Sequence, residues 1–236
     1  MKQRVFYTEL AYVLGIILLP LGVVLMEAAD FGVSMVVAPA YLVYLKLSPI
    51  APFFTFGMAE YTLQAVLLIA MVLVLKRFRW SYLLSFVTAV IYGFILDGWM
   101  LLGAYLPTGT IWCRLVLYFA GMLTCSVGVA LFFHTYISPE VYELFVKELS
   151  GKYNVAVHRF KTCYDCVSCA AGVLLSFIFF GLWHFEGVKL GTILCALMNG
   201  WLIGRISKFM DAHWRFEDAL KLRPIFESND NVNKAE

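Results

Sequence analysis

The sequence predicts an all-α membrane protein of six transmembrane helices, built as two inverted three-helix repeats, each with a short interfacial or re-entrant helix after its first span. Three observations predict it. Hydrophobic residues fill 62% of the 236 positions, and mean hydropathy is +0.81. Charged residues make up 14%, against roughly a quarter in a soluble globular domain. Sequence landmarks also recur at a nearly constant offset between the halves. A soluble fold this apolar would lack the polar surface to cover itself. The net charge of +2 carries no basic stripe with interleaved aromatics, so nucleic acid is excluded as a partner and the lipid bilayer is the expected one.

A helix crosses the bilayer with about 17–25 mostly apolar residues. Six stretches qualify: Leu10–Met26, Phe53–Leu75, Trp80–Leu102, Ile111–Phe133, Arg159–Trp183 and Leu190–Ile206. The fifth begins mixed, with Lys161 and Asp165, and then turns apolar. Charge asymmetry favours six spans over five. With the N-terminus inside, all of the 18 basic residues except Lys46, Arg114 and Lys189 fall on the inner side. The positive-inside bias therefore places both termini in the cytoplasm. The first span is expected to stay attached. Ala28 and Ala29 follow it, but the chain remains apolar beyond them, unlike a cleaved signal.

Two connections are too long for turns. Phe31–Pro52 is apolar and punctuated by proline, and is expected to hold a helix over Met35–Leu45. Ser138–Lys152 is its counterpart inside, with Ser138 as helix cap, Pro139 at the first helical position and Glu140 favouring the start through the dipole. After Met210 the tail turns polar, and Ser228–Glu236 is expected to be disordered.

The halves align with one another. Leu14-Gly15 matches Ala120-Gly121, and Gly22-Val23-Val24-Leu25 matches Gly128-Val129-Ala130-Leu131, both at an offset of 106. Phe31–Ser34 corresponds to Thr135–Ser138 at 104, Glu60 to Asp165 at 105, and Ala89–Gly93 to Ala196–Gly200 at 107. The units are then 1–106 and 107–209, with 210–236 as a cytoplasmic tail. Each unit has an odd number of spans, so the second enters from the opposite face. That is the inverted architecture of many secondary transporters.

The runs Gly22–Leu25, Ala29–Ser34, Phe54-Thr-Phe-Gly57 and Tyr92–Asp97, with Lys161–Asp165 and Gly191–Gly200 in the second half, resemble the YitT/YczE-like bacterial membrane proteins. The resemblance covers about residues 10–208. It departs at Met35, where the first half would carry Pro, and at Tyr136, where the second would carry Gly. The soluble C-terminal domain of some relatives has no counterpart. The resemblance implies a bacterial plasma membrane and names no substrate.

A charge near the bilayer centre costs on the order of 2.5–3.5 kcal/mol, so it needs a partner or a task. Glu27 and Asp30 close the first span, Glu60 lies in the second with Gln64 one turn on, and Asp97 lies in the third. At ~1.5 Å per residue, Glu60 and Asp97 lie about 10 Å below the outer surface. The expected picture is an acidic outer vestibule of Glu27, Asp30, Glu60 and Asp97 against Arg114. The inner half offers His134, the Lys161–Asp165 pair at i and i+4, and Asn199. Loop backbone near Ser34 and Ser138 presents N–H groups at helix starts.

The expected function is small-molecule transport. The substrate would sit between the repeats on Ser34, Glu60, Gln64, Asp97, Ser138, Asp165 and Asn199, with Glu27, Asp30, Arg114, His134 and Lys161 as charge partners. The acidic excess points to a cationic or zwitterionic small molecule, or to a proton. The alternative is a non-transporting accessory or chaperone subunit of a larger complex; self-association into a homo-oligomer is compatible with either. No Gly-x-Ser-x-Gly, HExxH or Walker pattern is present, so the chain is not expected to be an enzyme or to hold a cofactor. Cys163, Cys166 and Cys169 mimic a metal spacing, but on one helix their thiols fan out, and no metal is expected. Gly200 and Gly204, with Ala196, read as a packing stripe.

Overall fold

In a computed structural model, residues 4–181, 187–220 and 222–223 are described. The end of the fifth predicted stretch and the Ser228–Glu236 tail lie outside these residues. The described residues form eight helices and two short strands: β1 (Arg4–Tyr7), α1 (Thr8–Ala29), α2 (Ala38–Leu47), α3 (Phe56–Leu75), α4 (Trp80–Gly103), α5 (Ile111–Phe133), α6 (Val141–Lys152), α7 (Val157–Phe180), α8 (Leu190–His213) and β2 (Trp214–Glu217). The six long helices are each apolar enough to cross a membrane, and the chain is a multi-pass membrane protein.

The core is the crossing of α1 and α5. A methyl group on Gly22 would sit 2.6 Å from the Cys125 nitrogen and 2.7 Å from the Gly121 carbonyl oxygen; one on Gly15 would sit 3.2 Å from the Gly128 carbonyl oxygen. Small residues let the two backbones close in where lipid supplies no hydrophobic drive. The contacts are also reciprocal. Gly15 of one half meets the second-half partner of Gly22, and Gly22 meets the partner of Gly15. Helices that touch this way run antiparallel about a two-fold axis perpendicular to both, that is, in the membrane plane.

Other contacts obey the same exchange. α4 packs on α1 as α8 packs on α5, α3 on α4 as α7 on α8, and α2 bridges to α7 as α6 bridges to α3. The short helices thereby tie each half to the second span of the other.

Local starts differ from expectation in three places. The first short helix begins at Ala38 rather than Met35, after the Ser34 carbonyl accepts from the Val37 and Ala38 N–H groups. Its counterpart begins at Val141 with Glu140, not Ser138, at the cap. Ser138 is drawn off because its carbonyl accepts the Thr88 hydroxyl at 3.0 Å, while the Gln64 carbonyl oxygen takes the Val141 N–H at 3.0 Å. A side chain from another span outbids the local cap. The tail, finally, does not simply turn polar after Met210. α8 continues to His213, and Trp214–Glu217 pairs in parallel with Arg4–Tyr7, placing the N-terminal strand and the tail on one face. Glu9 then accepts the Ala219 and Leu220 N–H groups and the Tyr136 hydroxyl, which ties the tail to the loop after α5.

Candidate functional site

Where the halves meet, a buried polar cluster gathers from five helices. Glu60 and Gln64 come from α3, Glu140, Tyr142 and Glu143 from the start of α6, Lys161 and Asp165 from α7, Ser126 from α5 and Asn199 from α8. None of their side chains reaches solvent appreciably; Glu60, Gln64 and Asp165 are 0% exposed, Glu140 1%, Lys161 2% and Glu143 3%.

The network is specific. Gln64 reads the start of α6 with both ends of its amide, donating to Glu140 Oε2 at 2.9 Å while accepting from Val141. Tyr142 donates to Glu60 Oε2 at 3.0 Å, and Ser126 to Asn199 Oδ1 at 2.9 Å. Lys161 Nζ lies 3.3 Å from Asp165 Oδ1 and 3.6 Å from Glu143 Oε1. Yet Glu60 Oε1, Glu140 Oε1, Glu143 Oε2 and both Asp165 oxygens receive no directed hydrogen bond. Four carboxyls thus surround one ammonium among the described residues. An effective penalty of several kcal/mol attaches to each buried ion left uncompensated. Burial, then Glu143 and Glu60, pushes the Glu140 carboxyl well above the usual carboxylate range.

A small cavity of about 20 Å³ lies against the cluster, lined on one side by Ser34, Tyr92, Glu140, Tyr142, Glu143, Lys161 and Asn199 and on the other by valines, Leu19 and Cys125. It is large enough for one water. Two crevices approach from opposite faces. The one on the face that the charge pattern marks as outer, about 360 Å³, is lined by Tyr44, Thr55, Phe56 and Asp97; the one on the face it marks as inner, about 190 Å³, by Phe133, Lys161, Gly200, Gly204 and Ser207. At the repeat offsets, Asp97 answers to Gly204 and Phe56 to Lys161. Phe56, packed between Tyr41 and Tyr44 at 5.2 and 5.7 Å between ring centres, closes the outer crevice, and Lys161 borders both the cavity and the inner crevice.

Of the residues singled out in the sequence, Ser34, Glu60, Gln64, Asp165, Asn199 and Lys161 meet here. The acidic outer vestibule does not exist as expected. Asp97 accepts the Gly57 N–H at 2.8 Å and caps α3, away from Glu60, which faces α6. Glu27 accepts the Tyr41 hydroxyl at 3.1 Å. Asp30 closes α1 in the left-handed conformation and pairs with Arg114 at 2.9 Å and with Lys189, so Arg114 is not the sole cation on that side. There Gly32, at φ 111°, brings the loop onto α8: a methyl on it would meet the Thr192 hydroxyl, and Thr192 itself donates to the Val33 carbonyl at 2.8 Å. His134 pairs with Asp211 at 2.9 Å, at the C-terminal end of α5, and Asn199 takes the Ser126 hydroxyl instead. Ser138 contributes its carbonyl to Thr88. Cys163 and Cys166 are exposed while Cys169 is buried, so the three thiols diverge. Gly204 is not a tight packing point either, since a methyl there would meet nothing within 4 Å.

Sequence reasoning missed Glu143 and Tyr142, and gave Glu140 only a helix-dipole role. The signal was present in Glu140-Val-Tyr-Glu143, two acids in a segment that must return toward the bundle. No curated protein and no solved structure matches the chain. Residues 6–208 match the Family of unknown function (DUF6198), and the chain belongs to that family.

Proposed function

We propose that this protein is a small-molecule transporter of the bacterial plasma membrane, working by alternating access between two inverted repeats. The observation that carries the reading is the small cavity between the halves, bordered on one side by the buried polar cluster and approached from opposite faces by crevices at counterpart positions. A protein that alternates needs a central site and two pathways that are not open together. The outer pathway is closed by the Tyr41, Tyr44 and Phe56 rings and the Asp30 ion pairs, the inner by Lys161 and the Glu9–Tyr136 contact. The excess of carboxyls favours a cationic or zwitterionic solute. The likeness to YitT/YczE-like proteins agrees with a bacterial membrane.

Uptake into liposomes carrying the purified protein, screened against cationic and zwitterionic metabolites, tests the reading. The substrate found should enter roughly tenfold more slowly with Asn199→Leu, since the variant removes from the cavity wall an amide whose hydrogen bond to a polar solute is worth about 1.4 kcal/mol. If properly folded protein moves no member of the panel, transport is refuted and the accessory-subunit reading takes its place.

Both termini are assigned to the cytoplasm, because β1 and β2 share a face and the basic residues concentrate there. A cysteine replacing Lys147 should stay unlabelled by an impermeant thiol reagent in intact cells and react after permeabilisation. Labelling in intact cells would reverse the orientation.

A further inference from the structure

The central cluster has a shortage of positive charge and of donors at the same place. Glu60, Glu140, Glu143 and Asp165 face Lys161, the cluster's single amine among the described residues, which lies beside Glu143 and Asp165. Glu60 and Glu140 are held only by neutral donors, Tyr142 and Gln64. Five carboxyl oxygens receive no directed hydrogen bond, and of these only Asp165 Oδ1 has the Lys161 ammonium at ion-pair distance, 3.3 Å. An ionised carboxylate is acceptor-only, whereas a protonated one loses its charge and gains an O–H donor. Protonation therefore removes both shortages together. A metal ion fits less well, because among the described residues no group of three or more carboxylate, His or Cys side chains is placed to hold one.

We propose that this cluster is a proton-binding site with Glu140 as its principal carrier, loaded in the closed state seen here. Glu140 is singled out by position. It lines the cavity, where a water can exchange its proton, whereas Glu60 does not. It has no cation at contact distance, whereas Glu143 has Lys161. The groups facing it are Glu60 and Gln64 from α3, Tyr92 from α4, Tyr12 from α1, Cys125 from α5, Lys161 from α7, and Glu143 on its own helix. Lys161, between the cavity and the inner crevice, stands on the route by which the proton leaves when the inner side opens. Taken with the transport reading, on which this last step rests, the site couples solute movement to protons.

Infrared titration of the full-length protein in lipid nanodiscs tests the binding site without any substrate. The expected result is a protonated-carboxyl band present at neutral pH that fades as the pH rises, is weakened in Glu140→Gln and is retained in Glu140→Asp. Absence of that band at neutral pH, or a band unchanged in Glu140→Gln, overturns the proposal. Should Glu140→Gln fail to fold, the unmodified protein still decides. A carboxyl held protonated by the fold stabilises it fully at low pH and loses that contribution as pH rises through the folded value. Thermal stability should therefore decline as the pH is raised above the ordinary carboxylate range, and a flat or rising profile refutes the assignment. A positive titration with no uptake of any solute would leave the proton site standing and remove the transport reading alone.

Discussion

Lys161→Met is expected to destabilise the protein by about 3–5 kcal/mol, the cost of breaking a buried ion pair by removing one partner. Its Nζ lies 3.3 Å from Asp165 and 3.6 Å from Glu143, and all three groups are sealed from solvent. Without the ammonium, Asp165 and Glu143 lose the cation they share and are left as buried carboxyls without a counter-charge. The loss should be largely relieved in Lys161→Met combined with Asp165→Asn, because the second change removes a charge that the first has orphaned. Thermal unfolding in one detergent across the set reads the result. Near-native stability of the single variant would mean that Lys161 does not hold the cluster's charge.

The second large effect lies at the crossing of α1 and α5. Gly22→Val should cost about 3 kcal/mol, at the upper end for overpacking. The first added carbon would already sit 2.6 Å from the Cys125 nitrogen and 2.7 Å from the Gly121 carbonyl oxygen. The Cys125 sulfur, also at 2.6 Å, could swing aside, but these two obstacles are backbone and cannot, so the helices must separate. Gly204→Val, with open space at its Cβ, serves as the control and should stay within about 0.5 kcal/mol. Equal melting shifts for the two variants would show that close approach at Gly22 is not what fixes the crossing.

The sequence by itself determined the six spans and the two short helices between them; among the described residues the span ends agree to within three residues except at α8, which runs seven residues past Ile206 to His213. Those features depend on local hydropathy and length, which a bilayer reads directly from the chain. The spacing of Gly15, Gly22, Gly121 and Gly128 likewise carried the correspondence between the halves, because close helix approach demands small residues at fixed intervals. Six residues of the central cluster were legible too, since a polar group in an apolar run stands out wherever it lies.

Only the tertiary structure decided which of these groups meet. Glu60 and Asp97 share a depth along their helices, but depth says nothing of direction. α3 turns Glu60 toward Tyr142 on α6 and leaves Asp97 to cap Gly57. Ser138 has the better capping side chain, yet Gln64, 77 positions from Val141, supplies the partner for the first N–H of α6 and moves the helix start to Glu140. The pairing of Arg4–Tyr7 with Trp214–Glu217 spans almost the whole chain. Local propensity ranks what a segment prefers when alone. A partner brought from a distant span, inside a bilayer where an unmet hydrogen bond costs several kcal/mol, outweighs that preference.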